Sequence, residues 1–159
     1  MAGACVLSAL PASAFCQAAP APETAARTRE DELLQALNEA RVAGGVTCGS
    51  APPSAPAPAL RLDARLVCAA RVFAGDLNTT RAQSLTDSQG RSSEQRMNAA
   101  GYSDKQWAES FAFEAGSASI ALSIMLSDPG SCPRLVDPSY LDVGVAYVGD
   151  VNVVSLASE

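Results

Sequence analysis

The C-terminal stretch constrains the fold of this chain more than any other. Val143, Val145 and Tyr147 alternate with their neighbours, Val151 and Val153 resume the alternation, and Gly149-Asp150 lies between the two runs. A two-residue turn of this composition between alternating apolar segments specifies a β-hairpin. Strands joined in this way are antiparallel. Phe111 and Phe113 alternate within Ala108 to Ala115 and add a third strand. The remaining periodic segments are helical. One helix opens at Thr28-Arg29-Glu30-Asp31, a capping-box pattern with Asp in place of Glu. It carries Leu33, Leu34, Leu37, Ala40 and Arg41 at helical spacing and stops at Gly44-Gly45. Ala51 to Ala59 is too rich in proline for a helix and reads as a loop. Asp63 is an N-cap for a second helix with Leu66, Ala70, Phe73 and Leu77 on one face. A short helix fits Ser93 to Ala100, and another carries Ile120, Ala121, Ile124 and Met125 before Pro129. Helices and a small antiparallel sheet make an α+β fold, with the helices covering the sheet.

The chain has 159 residues, enough for one domain with a core of its own. Its formal charge of -6, with no block of Lys and Arg, argues against nucleic acid as a partner. No apolar run is long enough for a transmembrane span. The first residues differ from the rest. Met1 to Ala26 holds no Lys or Arg, Ala4 to Leu10 is a short apolar core, and Ala12-Ser13-Ala14 has the small-x-small form of a leader cleavage site. Residues 1–27 are therefore expected to be a signal-peptide-like or disordered Ala/Pro-rich segment, and 28–159 the folded domain, in a secreted or periplasmic setting. A lipoprotein anchored through Cys16 is the rival; Phe15 stands where that signal has a small residue.

Five elements, in order, resemble those of the CAP superfamily, the cysteine-rich secretory, antigen five and pathogenesis-related proteins, in its bacterial extracellular branch. Asn38-Glu39-Ala40-Arg41 is similar to the family's N-x-x-R element, and Thr47-Cys48-Gly49 matches T-C-G. Leu60 to Arg71 resembles L-R-W-D-x-R-L-x-x-A-A-R, and Gln89 to Tyr102 resembles D-G-S-S-P-x-D-R-x-x-A-A-G-Y, keeping Gly90, Ser92, Arg96 and Ala99-Ala100-Gly101-Tyr102. Asp137 to Ala146 is similar to N-P-x-Y-x-x-V-G-V-A.

This resemblance implies an α-β-α sandwich around a cavity lined by two histidines and two carboxylates, which in some members hold a divalent metal. Carried over one at a time, the first histidine falls on Leu85, beside Thr86. One acid falls on Gln95, next to Glu94; the other acid is kept as Glu109. The second histidine falls on Ser131, in Asp128-Pro129-Gly130-Ser131. The chain contains no histidine at all, so a Ser-His nucleophile is excluded, and so are imidazole ligands for a zinc-type metal. No catalytic residue, metal or cofactor is assigned. The plain expectation for Glu109 is that it hydrogen-bonds backbone groups of the cavity wall. The sequence does not place Asp87, Glu94, Glu109 and Asp128 together as an oxygen-ligated metal site. The resemblance also implies a Cys48–Cys132 disulfide. Cys68, among small apolar residues, reads as a buried free thiol, and Cys5 and Cys16 as parts of the exported segment; if the mature form begins after Ala14, Cys16 remains and is free to dimerise the chain. Three functions stay open: a non-catalytic domain binding a small apolar ligand or a cell-envelope partner, a hydrolase or metal-dependent enzyme using Glu109, and a structural or interaction domain with a filled cavity.

Overall fold

The computed structural model describes residues 12–103 and 105–159; the apolar run Ala4 to Leu10 and Cys5 lie outside the described residues. In chain order the elements are α1 (Ala12–Gln17), α2 (Thr24–Ala43), β1 (Arg61–Leu62), α3 (Ala64–Thr80), α4 (Ser93–Ala99), β2 (Gln106–Phe113), α5 (Ala118–Ser127), α6 (Cys132–Leu135), β3 (Asp142–Val148) and β4 (Val151–Ser158). The hairpin forms around Gly149-Asp150 as expected, and the sheet order is β1-β3-β4-β2. Both long neighbours of β4 run antiparallel to it. The two-residue β1 joins β3 in parallel at Arg61 and Leu62, an addition too short to leave any periodicity in the sequence.

The pleat sends alternate side chains to opposite faces. Val143, Val145, Val154 and Leu156 meet Leu33 and Leu37 of α2 with Ala121 and Met125 of α5. Ala146, Val151 and Val153 meet Ala70, Phe73 and Leu77 of α3. Both faces are covered, so the fold is an α-β-α sandwich, and every residue of β4 is buried. Each large apolar side chain buried in this way contributes about 1.5–3 kcal/mol.

The two motif residues of the Asn38–Arg41 element act as clasps. Asn38 donates from Nδ2 to the Leu60 carbonyl at 3.2 Å and accepts the Leu60 N–H at 2.7 Å. Arg41 is fully buried and donates to the carbonyls of Pro58, Leu135, Asp137 and Tyr140 at 2.7 to 3.1 Å. Its burial lowers its pKa from the usual guanidinium range. The Asn38–Arg41 element thus pins the proline-rich loop and the Asp137–Tyr140 turn to one helix.

Helix α3 starts where Asp63 predicts. The Asp63 side chain accepts the Arg65 N–H at 2.8 Å and is paired with the Arg65 guanidinium at 2.7 Å. These bonds hold its carboxyl below the usual range. A depressed carboxyl adds stability above its unfolded pKa, about 4, and loses it as pH falls through the lower folded value. Asp63→Ala is therefore expected to cost about 1 kcal/mol at pH 7 and progressively less as the pH is lowered through that window. Urea melts at pH 7 and pH 2.5 test this. The same helix crosses β3 at Gly144, where an added Cβ would stand 2.1 Å from the Leu66 carbonyl carbon. A backbone atom cannot swing aside as a side chain can. Gly144→Ala is expected to cost about 1–3 kcal/mol by overpacking, read as a lower urea midpoint.

The N-terminal half-turns depart from expectation. Helix α2 starts at Thr24, with Glu23 as its N-cap, and Thr28 lies inside it with its hydroxyl on the Thr24 carbonyl. Thr24-Ala25-Ala26-Arg27 contains no helix breaker, so the helix runs back through the cap-like pattern. Residues before 28 also pack: Phe15 is 4% exposed among Leu66, Val72, Met97 and Tyr102. Cys68 is not a free thiol. It is bonded to Cys16, with Cα atoms 5.5 Å apart, and Cys16 is accordingly not a dimerising thiol. The sequence could not show this pairing because it depends on α1 folding back along α3.

Candidate functional site

Strand β2 lies at one edge of the sheet, and a cleft of ≈ 380 Å³ runs along its outer side. Gln83, Ser84 and Leu85 form one wall, Ile124 of α5 with Asp128 and Ser131 the other, and Glu109, Ser110 and Phe111 the floor. Leu85, Glu109 and Ser131 are thus brought together. Thr86 and Gln95 are not. Thr86 is exposed and donates its N–H to Ser84 Oγ. Gln95 closes a capping box with Ser92 at the start of α4, accepting the Ser92 N–H at 2.9 Å while its own N–H donates to Ser92 Oγ at 3.2 Å.

Glu109 is held by side chains rather than by the expected backbone groups. The pleat turns it to the α3 side, where Ser93 Oγ donates to Oε2 at 2.6 Å and Arg96 Nη2 donates to the same oxygen. Ser155, its cross-strand neighbour on β4, donates to Oε1 at 2.6 Å. Arg96 is fully buried. It also donates to the carbonyls of Arg91 and Leu85 at 2.7 and 2.9 Å, and its guanidinium carbon lies 3.8 Å from the Phe73 ring centroid. Asp87 stands 3.8 Å from Arg96 Nη1 and is paired with Arg91 at 2.8 Å. Among the described residues, no three His, Cys, Asp or Glu gather with metal-ligand geometry. Asp87 and Glu109 flank Arg96, Glu94 is exposed on α4, and Asp128 sits across the cleft.

Sequence reasoning missed the three donors to Glu109. Arg96 was visible as a kept motif residue, and Ser93 lies one turn before it. Ser155 becomes a partner only through the β2–β4 register. The other side of the floor is built of hydroxyls: Ser110 Oγ donates to Ser131 Oγ at 3.0 Å, and the Ser131 N–H donates to Asp128 Oδ2 at 2.6 Å. Ile120 and Ile124 have helical spacing but do not enter the core; they are 50% and 43% exposed on the outer face of α5. Beneath the turn, Cys132 is bonded to Cys48, with Cα atoms 5.5 Å apart.

Residues 34–155 match the profile of CAP, the cysteine-rich secretory protein family. Among solved structures, the chain is similar to an extracellular protein containing an SCP domain from Bacillus anthracis, with TM-score 0.75 and 14% identity over 88% of this chain and 45% of that one. An outer surface protein from Borrelia burgdorferi gives TM-score 0.72 and 17% identity over 89% and 98% of the two chains. A cysteine-rich secretory protein from Staphylococcus aureus gives 0.68 and 12% over 87% and 40%. This chain spans less than half the length of the Bacillus and Staphylococcus proteins. No curated protein matches it. At these identities the structures speak for the fold, whereas the profile spans most of the sequence, from the helix of Arg41 through the Glu109 strand to β4: the chain belongs to the CAP family of cysteine-rich secretory proteins.

Proposed function

We propose that this chain is an exported, non-catalytic CAP domain that binds a small apolar ligand or a cell-envelope partner in the cleft beside β2. The state of Glu109 carries the reading. Both its oxygens are engaged, by Ser93, Arg96 and Ser155. A carboxylate whose two oxygens already accept hydrogen bonds, one of them from a buried arginine, presents little free acceptor capacity to a substrate or a metal. The three other positions carried over from the family cavity are Leu85, Gln95 and Ser131, and no imidazole exists to replace the two histidines. What remains at the surface of the cleft is apolar at Leu85, Phe111 and Ile124, hydroxylic at Ser84, Ser110 and Ser131, and polar at its rim through Gln83 and Asp128.

Export accounts for two disulfides in one small domain, since such bonds persist in oxidising compartments. Cys16 is engaged by Cys68, which favours a secreted or periplasmic chain over one anchored through that sulfur. The burial of Phe15 in the core supports a leader that is removed upstream of it. No helix among the described residues is long and apolar enough to cross a membrane.

Native mass spectrometry of the oxidised protein with palmitate, and separately with zinc or calcium, tests the reading. A one-to-one palmitate adduct that is lost in Leu85→Asp is the expected result. Leu85 is 36% exposed, so this substitution is expected to leave the fold intact. A stoichiometric metal adduct abolished by Glu109→Ala would sink the non-catalytic reading.

A further inference from the structure

We infer that the partner of this cleft is an extended peptide that adds to the outer edge of β2 as a further strand, with a basic residue between two apolar ones. The inference rests on the reading of the cleft as the binding site and narrows its ligand class.

The backbone comes first. Glu114 N–H donates to the Asp150 carbonyl at 3.0 Å. Bonded pairs alternate along an antiparallel ladder. The even-numbered residues of β2 therefore pair with β4, and Glu109 and Phe111 turn their N–H and C=O groups to the outer edge. Among the described residues no turn, loop or cap backbone group is bonded to those of Glu109 or Phe111. Both residues line the cleft. Exposed edges are normally blunted by proline, lysine, a bulge or a very short strand. Strand β2 has eight residues, contains neither Pro nor Lys, and keeps continuous register with β4 from Gln106 to Phe113. Its one charged side chain, Glu109, points inward, a device that also protects edges, but here that charge is already paired with Arg96. Such an edge is a template for another strand.

The side chains then set the peptide's character. An added strand presents alternate residues to the two faces of the sheet. On the α3 face it meets Leu85 and Phe111, the latter edge-on to Phe73. On the α5 face it meets Ser110, Ser131 and Asp128. Asp128 is exposed and accepts the Ser131 N–H. Glu109 being neutralised, Asp128 sets the sign of the cleft, within a chain of net charge -6. A Val-Lys-Val segment fits both faces: the valines toward Leu85 and Phe111, the lysine toward Asp128.

The test uses the oxidised full chain and the fluorescently labelled peptide Thr-Val-Lys-Val-Thr-amide, with palmitate as the apolar control. Saturable binding is expected. It should weaken more than tenfold when one alternate set of peptide amides is N-methylated and stay unchanged when the other set is. Asp128→Asn should weaken it severalfold, and bound peptide should slow hydrogen exchange of the Phe111 amide more than tenfold. Binding that ignores N-methylation and leaves Phe111 exchange unchanged overturns strand addition. Absence of peptide binding alongside palmitate binding that Leu85→Asp abolishes also overturns it, while leaving the cleft reading intact. If neither probe binds, both readings fall.

Discussion

Replacing Arg96 by methionine is expected to destabilise the protein by about 3–5 kcal/mol, the usual cost of removing one partner from a buried ion pair. The arginine is fully buried and its partner Glu109 is 5% exposed. Methionine fills much of the space over Phe73 but leaves a carboxylate in the interior with only the Ser93 and Ser155 hydroxyls to solvate it. The carbonyls of Arg91 and Leu85 lose their donor as well, so the 85–91 loop should loosen before the rest of the domain unfolds. The double variant Arg96→Met, Glu109→Gln is expected to recover a good part of the loss, because it removes the stranded charge. Urea denaturation of the two single variants and the double one gives the coupling directly. An additive result would show that Glu109 and Arg96 do not act as a pair. The pairing fastens α4 to the sheet.

Breaking the Cys48–Cys132 bond should have the second largest effect. The bridge closes a span of 84 residues, for which the chain-entropy relation gives about 4.5 kcal/mol. The span of the Cys16–Cys68 bridge, 52 residues, interlaces with it. The unfolded chain is then already restrained, and the observed loss should be smaller than that figure. Because small domains have only about 5–15 kcal/mol in total, Cys48→Ser with Cys132→Ser is expected to lower the melting temperature by some tens of degrees or prevent folding at 37 °C. Non-reducing peptide mapping checks the connectivity. It should return Cys16 linked to Cys68 and Cys48 linked to Cys132, and a disulfide-linked dimer through Cys16 would contradict the fold-back of α1.

Much of this architecture was legible because it is local. A hairpin turn, an Asp N-cap and a proline-rich loop each act within a few residues, and Gly149-Asp150, Asp63 and Ala51 to Ala59 behave as their chemistry requires. Local signals also misled. The Thr28 pattern has the composition of a cap, but uninterrupted helix formers precede it, and α2 begins at Thr24. Ile120 and Ile124 have core spacing but face outward, because the sheet beneath α5 is already filled through Ala121 and Met125.

The sequence by itself determined the element types, the absence of imidazole chemistry and the family resemblance, since each is written in residue identity or short-range spacing. Only the tertiary structure decided the partners. Glu109 meets Ser155 through strand register and Arg96 through the docking of α4. Cys16 meets Cys68 through the return of α1, and β2 is placed at the edge of the sheet by the strand order. These contacts join residues 13 to 52 positions apart, and burial, which makes them strong by excluding water, exists only once both faces of the sheet are covered.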